Sequence, residues 1–319
     1  MQSLMISCLA SLISVFFIQF TLFVLALFLP TSSFFTLLPL TALLIVILVG
    51  LGRCCKRLVG VKACAPAFVF LSILFLWVVY ISVIRRVTSY LMDIVFNIEI
   101  VMLIVGLYRI MLSDPGFVRC DSSYHEMPVR SPLNEDEAHI EELEPSTHPT
   151  QQESHAEEGL IVRRGRYCKY CDAYVNGFDH HCPAFGNCIG EKNHFFFVLL
   201  LIGFVISEAS YVACASQFAA RFQTIDEVKR VTSASRSLAI STMLFSLFQV
   251  LWQVVFIMWH VYCACFNIKT DEWINWKTYP EFQVQIISDA GLPQTDLQFK
   301  NPYDKGILRN LKEFLTAKG

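Results

Sequence analysis

The chain has 319 residues, 55% of them hydrophobic and 13% aromatic, with only 16% charged and a formal net charge of −2. That is too apolar for an ordinary soluble domain, because the apolar residues gather in long runs. No nucleic-acid partner is expected.

Read from the N-terminus, the first charged residue is Arg53. A helix needs about 20 apolar residues to cross the hydrocarbon core. Six stretches qualify, at roughly 5–29, 34–52, 66–84, 93–112, 195–217 and 240–264, so the expected fold is an all-α polytopic membrane protein. Pro30, Thr31, Ser32 and Ser33 form the polar break between the first two. Arg53, Lys56, Arg57 and Lys62 stand between spans two and three, and Arg163, Arg164, Arg166 and Lys169 in the large loop after span four. By the positive-inside rule these place both termini, the large loop and the tail in the cytosol, with Arg85, Arg86, Lys229 and Arg230 falling on the other side. Cys54 and Cys55, at a membrane edge beside basic residues, read either as lipidation acceptors or as inert thiols. Asn97, Glu99 and Glu208 are expensive in hydrocarbon unless paired or near water, so they are expected in the bundle interior or toward the lumenal edge.

Residues 113–194 hold the sizeable polar region that precedes the tail. From Glu135 to Glu158 there are nine acidic residues and no Lys or Arg. Such a stretch cannot bury enough apolar surface to offset the cost of ordering it, and a disordered linker is expected. Near Leu160 the charge turns basic and cysteines begin. Four of the chain's 12 cysteines fall in one window, at Cys168, Cys171, Cys182 and Cys188. On the reducing side of a membrane such a cluster more often binds metal or reacts than forms disulfides. Cys168-x2-Cys171 puts two thiolates on one tight turn, within reach of one tetrahedral ion. Cys188 and one histidine, either His180 or His181, would complete a Cys3His zinc site. Left over are Cys182, the other histidine and Asp179. A nucleophile, a base and a carboxylate that orients the base form the arrangement of covalent thiol catalysis.

At this point the residues resemble a known family. RYCKYC, DHHC, CPAFGNCIG and NHFFF, ending at Phe197, look like the cysteine-rich domain of the DHHC protein S-acyltransferases, or palmitoyltransferases. Three distant motifs agree, in the family's order. Asp114-Pro115-Gly116, after span four, is similar to its DPG motif. Lys269-Thr270-Asp271-Glu272, after the last span, is similar to its TTxE motif with the first Thr replaced. Asn301-Pro302-Tyr303, Gly306 and Asn310 are similar to the asparagine–proline–aromatic segment of its tail. The resemblance covers about residues 66–314. Family members usually have four membrane helices, two on each side of a cytosolic cysteine-rich loop. Spans three to six would form that core. Spans one and two would be an N-terminal addition, as in six-span members, here without the ankyrin repeats those often carry.

The resemblance implies that Cys182 attacks the thioester of a fatty acyl-CoA and passes the long-chain (palmitoyl) group to a cysteine of a protein substrate. His180 would be the base and Asp179 the carboxylate that orients it, with His181 joining Cys168, Cys171 and Cys188 on zinc. Arg163, Arg164, Arg166, Lys169 and Lys192 would hold the CoA phosphates or face anionic lipid. Ala184 and Phe185 would stand near the acyl chain, and Phe195, Phe196 and Phe197 would line its cavity or pack as ordinary aromatics. Glu272 and Asn310 match positions that tie the tail to the catalytic loop. Ile307, Leu308, Leu311, Phe314 and Leu315 recur at helical spacing, so residues 304–316 are expected to form a short amphipathic helix.

Two departures follow from the same comparison. The family's domain usually binds two zinc ions, but Tyr167 and Tyr174 stand where ligands of one site would be, and an earlier CxxC pair is missing. One zinc is expected, with aromatic packing in place of the other. Ala184 replaces a common Trp, which would widen the cavity mouth or change acyl preference. The expected organisation is an added two-helix segment (1–65), helices three and four (66–112), the DPG motif and linker (113–159), the DHHC loop (160–194), helices five and six (195–268) and a cytosolic tail (269–319). An endomembrane, Golgi or derived from the endoplasmic reticulum, is the expected location, with the plasma membrane as the other candidate.

Overall fold

The computed structural model describes residues 2–29, 34–60, 62–118, 164–221, 231–286 and 296–316. The acidic linker, Arg163, Lys229 and Arg230 lie outside the described residues, as does the side chain of Cys55.

Six long helices make up the body: α1 (Gln2–Phe28), α2 (Phe34–Val59), α3 (Ala65–Ser82), α4 (Tyr90–Leu112), α5 (His194–Arg221) and α6 (Val231–Cys265). All six are long and apolar enough to cross a membrane. A helix satisfies its own backbone groups, as hydrocarbon demands. The sixth span begins near Ser233, earlier than the hydropathy alone suggested. Its first turns are rich in serine and threonine, yet Ser241 Oγ and Thr242 Oγ1 donate to the Leu238 carbonyl at 2.9 and 2.8 Å, so these hydroxyls ride inside the bundle. Pro66 stands in the first turn of α3, where its missing N–H breaks no helical bond. Ser89 caps α4 by accepting from Met92 N–H.

α5 packs along α6 and against α4, and α1 fills the space between α3 and α6. A Cβ on Gly106 would stand 2.7 Å from Leu200 Cδ1, so the glycine lets α4 approach α5 closely. Tyr80, Phe96, Phe197, Phe204 and Tyr211 lie in one core cluster. Several polar residues of the spans are bonded to one another inside the bundle. Ser210 donates to Glu99 at 3.1 Å, Gln253 donates to Glu208 at 3.3 Å, and Asn97 links Trp77 to Asp93.

The all-α expectation holds for the bundle, and among the described residues the loop and tail add three two-stranded antiparallel ribbons. These pair β1 (Arg166–Cys168) with β2 (Ala173–Val175), β3 (His180–Cys182) with β4 (Asn187–Ile189), and β5 (Gln283–Ile286) with β6 (Asp296–Phe299). Strands of three or four residues are too short to show an alternating pattern in sequence. Two further helices belong to the tail, α7 (Thr270–Ile274) and α8 (Ile307–Thr316).

The DPG segment joins the bundle to the loop. Asp114 Oδ1 accepts from Gly116 and Phe117 N–H at 2.8 and 2.9 Å, closing a turn in which Gly116 has φ +104°. The Lys192 ammonium at 2.8 Å and the backbone bond from Phe117 hold the Asp114 carboxyl down at about 2. Gly116 O then accepts from Asn176 N–H and Val118 N–H donates to Tyr174 O, so the chain leaving α4 runs beside β2. Gly190 lies under this turn, where a Cβ would collide with the Pro115 carbonyl.

Candidate active site

The two loop ribbons bring four ligand atoms together. Cys168 ends β1, Cys171 follows in the turn, and His181 faces Cys188 across the β3–β4 register. His181 Nδ1 lies 3.7, 3.5 and 3.7 Å from the sulfurs of Cys168, Cys171 and Cys188, and the Cys188 and Cys171 sulfurs are 3.4 Å apart. Zinc with Zn–S near 2.3 Å and Zn–N near 2.0–2.1 Å sets tetrahedral ligand atoms about 3.5–3.8 Å apart. The four side chains therefore fit that ion. Burial pushes the Cys171 and Cys188 thiols up, and the sulfurs of Cys168 and Cys171 push Cys188 further the same way. Tyr167 faces Tyr174 across β1–β2 with ring centroids 5.4 Å apart, so the two tyrosines do pack against each other.

A strand presents successive side chains on opposite faces. In β3 this sends His181 toward the three cysteines and turns His180 and Cys182 the other way. Of the two histidines, left open from residue types alone, His181 is grouped with the three cysteines and His180 with Asp179. His180 Nδ1 lies 2.7 Å from Asp179 Oδ2, and its ring is also hydrogen-bonded to Cys182. Burial pulls the His180 imidazole down, but the bonds to Asp179 and Cys182 outweigh it and raise it to about 9.

Asp179 is fully buried. Burial opposes its charge, yet the histidines around it, His194, His180 and His260, hold the carboxyl below the usual range. Thr270 N–H donates to Asp179 Oδ1 at 2.9 Å and Asp271 N–H to the Asp179 carbonyl at 3.0 Å. The tail segment after the last span thus binds both the side chain and the backbone of this aspartate.

Glu272 fixes that segment. It accepts from Lys269 N–H and from both Nε and Nη2 of Arg164. The Arg164 guanidinium lies 3.9 Å over the Tyr303 ring. Asn301 donates to Phe266 O, and buried Asn310 donates to Cys265 O at 2.9 Å, which ties the tail to the end of α6. Pro302 lines a cavity of about 340 Å³ with Tyr303, Asn310 and Phe314. Arg166 is bonded to Glu281 at 2.8 Å and stacked 3.9 Å from Tyr279, and Lys169 lies 5.4 Å from the Tyr170 ring. Lys192 is the partner of Asp114.

A second cavity, of about 200 Å³, opens at Cys182 between α3, α5 and α6. Ala184, Phe185, Phe197 and Phe256 are among its lining residues. Of the three consecutive phenylalanines, Phe197 is the one that lines it. Phe195 packs on Phe314, and Phe196 faces Arg109.

His194 and His260 were not singled out from the sequence, yet both flank the site. His260 Nδ1 lies 3.9 Å from Asp179 Oδ2, and His194 Nε2 lies 4.0 Å from Oδ1 and 3.3 Å from His260 Nδ1. Lys269 reaches His194 Nδ1 at 3.4 Å. The available signal was a histidine inside the last apolar run, where an ionisable group is expensive without a purpose.

Residues 156–277 match the family model described as DHHC palmitoyltransferase. Mouse palmitoyltransferase ZDHHC17 is 29% identical over 160 residues, covering 47% of this chain and 24% of that protein. The fruit-fly palmitoyltransferase Hip14 is 29% identical over 168 residues, 50% of this chain and 24% of its own. Rat palmitoyltransferase ZDHHC4 is 27% identical over 177 residues, 48% of this chain and 51% of its own. The matched stretch thus spans a quarter to a half of these relatives. The DHHC-family resemblance read from the motifs is borne out over residues 156–277, and the six long apolar helices make the chain a multi-pass membrane protein.

Proposed function

We propose that this chain is an integral-membrane protein S-acyltransferase, using acyl-CoA to acylate cysteines of protein substrates at the cytosolic face of an endomembrane. The observation that carries the reading is the Asp179–His180 bond at 2.7 Å, with Cys182 beside it at the mouth of an apolar cavity. Asp179 holds Nδ1 of His180, which leaves Nε2 for the thiol. His180 takes the Cys182 proton, and the thiolate attacks the acyl carbonyl carbon while the chain lies in the cavity. The C–S bond to CoA breaks, and the departing thiolate takes the proton from His180. In the second half, the substrate thiol gives its proton to His180 and attacks the Cys182 thioester, which regenerates the Cys182 thiol. One thioester replaces another, so positioning and a thiolate are the main demands. Cys168, Cys171, His181 and Cys188 would hold zinc, which when bound cross-links the two ribbons and fixes β3.

The test is incubation of the purified protein in detergent with labelled palmitoyl-CoA, beside Cys182→Ser. Hydroxylamine-sensitive label on the wild type and its loss in the variant are expected. Equal label on both, or none on folded, zinc-loaded protein, would point instead to a membrane scaffold.

A further inference from the structure

Three side chains that the proposed chemistry leaves unused converge on Asp179. Lys269 stands just before α7, and its Nζ lies 3.4 Å from Nδ1 of His194, the first residue of α5. His194 Nε2 lies 3.3 Å from Nδ1 of His260 in α6 and 4.0 Å from Asp179 Oδ1. His260 Nδ1 is in turn 3.9 Å from Asp179 Oδ2, the oxygen bonded to His180. Asp179, His194 and His260 are all buried, and the rings of Phe197 and Phe314 lie edge-on or tilted beside His194. Burial and the Arg164 guanidinium pull the Lys269 ammonium below the usual lysine range, while Asp179, Glu272 and Glu191 oppose that pull.

The chain Lys269–His194–His260 can carry its hydrogen bonds in either of two directions. An ammonium only donates, so with Lys269 charged the lone proton of the His194 ring sits on Nε2. That N–H then faces both His260 Nδ1 and the Asp179 carboxylate. With the proton on Nδ1 instead, the Nε2 lone pair would face Asp179 Oδ1 in a buried site, which is unfavourable. His260 Nε2 is buried without a hydrogen-bond partner among the described residues. It is left over in both directions, so the choice between them falls to Lys269. Thr270 N–H already donates to Asp179 Oδ1 at 2.9 Å. His194 Nε2–H adds a second positive pole on that oxygen and leaves Oδ2 to His180.

We infer that Lys269 and His194 are positioning residues for Asp179: the ammonium sets the His194 tautomer, the His194 Nε2–H steadies the carboxylate, and the carboxylate holds His180 toward Cys182. The effect on rate rests on the proposed acyltransferase reading, whereas the tautomer is a property of the resting protein.

Single-turnover acylation of Cys182 by palmitoyl-CoA is followed in the full-length protein in detergent, with proteolysis of the segment after α6 as a control on tail docking. Lys269→Met is expected to slow acylation by about tenfold, the scale of one hydrogen bond to a charged group, with proteolysis unchanged. Lys269→Arg, which keeps a permanent cation, should retain most of the rate. If Lys269 acts through His194, Lys269→Met made in a His194→Phe background should slow acylation no further. A full additional loss there, or a wild-type rate in Lys269→Met alone, overturns the inference. Side-chain ¹⁵N shifts of the histidines, with His194 assigned by its absence from His194→Phe, read the tautomer without any turnover. His194 should carry its proton on Nε2 in the wild type and lose that preference in Lys269→Met. A wild-type proton on Nδ1, or an unchanged tautomer in Lys269→Met, overturns the inference as well. If Cys182 is not acylated at all, the function proposed above fails, and the ¹⁵N shifts alone decide whether Lys269 sets the His194 tautomer.

Discussion

Arg164→Ala tests whether the tail holds Asp179 in place. Glu272 is buried and accepts three hydrogen bonds, from Arg164 Nε at 2.9 Å, Arg164 Nη2 at 3.0 Å and Lys269 N–H at 2.9 Å. The substitution removes two of them and leaves the carboxylate with one backbone donor. Removing one partner of a buried ion pair costs about 3–5 kcal/mol, and losing the guanidinium from the Tyr303 face adds about 0.5–1 kcal/mol. That cost falls on the docked tail, because Arg164 belongs to the loop and Glu272 to α7. The same short helix supplies the Thr270 and Asp271 N–H donors to Asp179. At 1.4 kcal/mol per factor of ten, even ~3 kcal/mol shifts docking by about a hundredfold. The expected results are Cys182 acylation slowed at least tenfold and faster proteolysis of the segment after α6. Arg164→Met with Glu272→Leu replaces the pair by apolar volume and should recover much of both, since such replacements are often neutral or better. Wild-type acylation and unchanged proteolysis in Arg164→Ala would refute the reasoning.

Three further outcomes are expected. His180→Ala should slow single-turnover acylation of Cys182 by about 10²–10⁴-fold, the usual worth of a positioned base, with zinc content unchanged; a rate near wild type would remove His180 from the chemistry. Zinc affinity, measured by chelator competition, should rise with pH, because the upward-shifted Cys171 and Cys188 thiols must release protons to bind it; a flat profile would show that these thiols are not ligands. A double-mutant cycle on Tyr167→Ala and Tyr174→Ala should give a coupling of about 0.5–1.5 kcal/mol in thermal unfolding, and no coupling would show that the ring pair is incidental.

The membrane class and the six spans were legible in the sequence, because hydrocarbon imposes a length and composition on each helix that no partner is needed to reveal. The grouping of Cys168, Cys171 and Cys188 was legible for a similar reason: ligands on neighbouring tight turns are close in space because they are close in the chain. The DPG, TTxE-like and tail motifs were visible as strings, but their work was not. That Asp114 turns the chain onto β2, or that Thr270 N–H reaches Asp179, depends on contacts between segments far apart in sequence. His194 and His260 escaped notice for the same reason, since each is one polar residue near or within an apolar run until the ends of α5 and α6 converge on Asp179. The placement of Glu208 in the Cys182 cavity was likewise decided only by packing. Local spacing and the solvent determine what each segment can be, whereas the interlocking of α3, α5 and α6 decides which side chains meet.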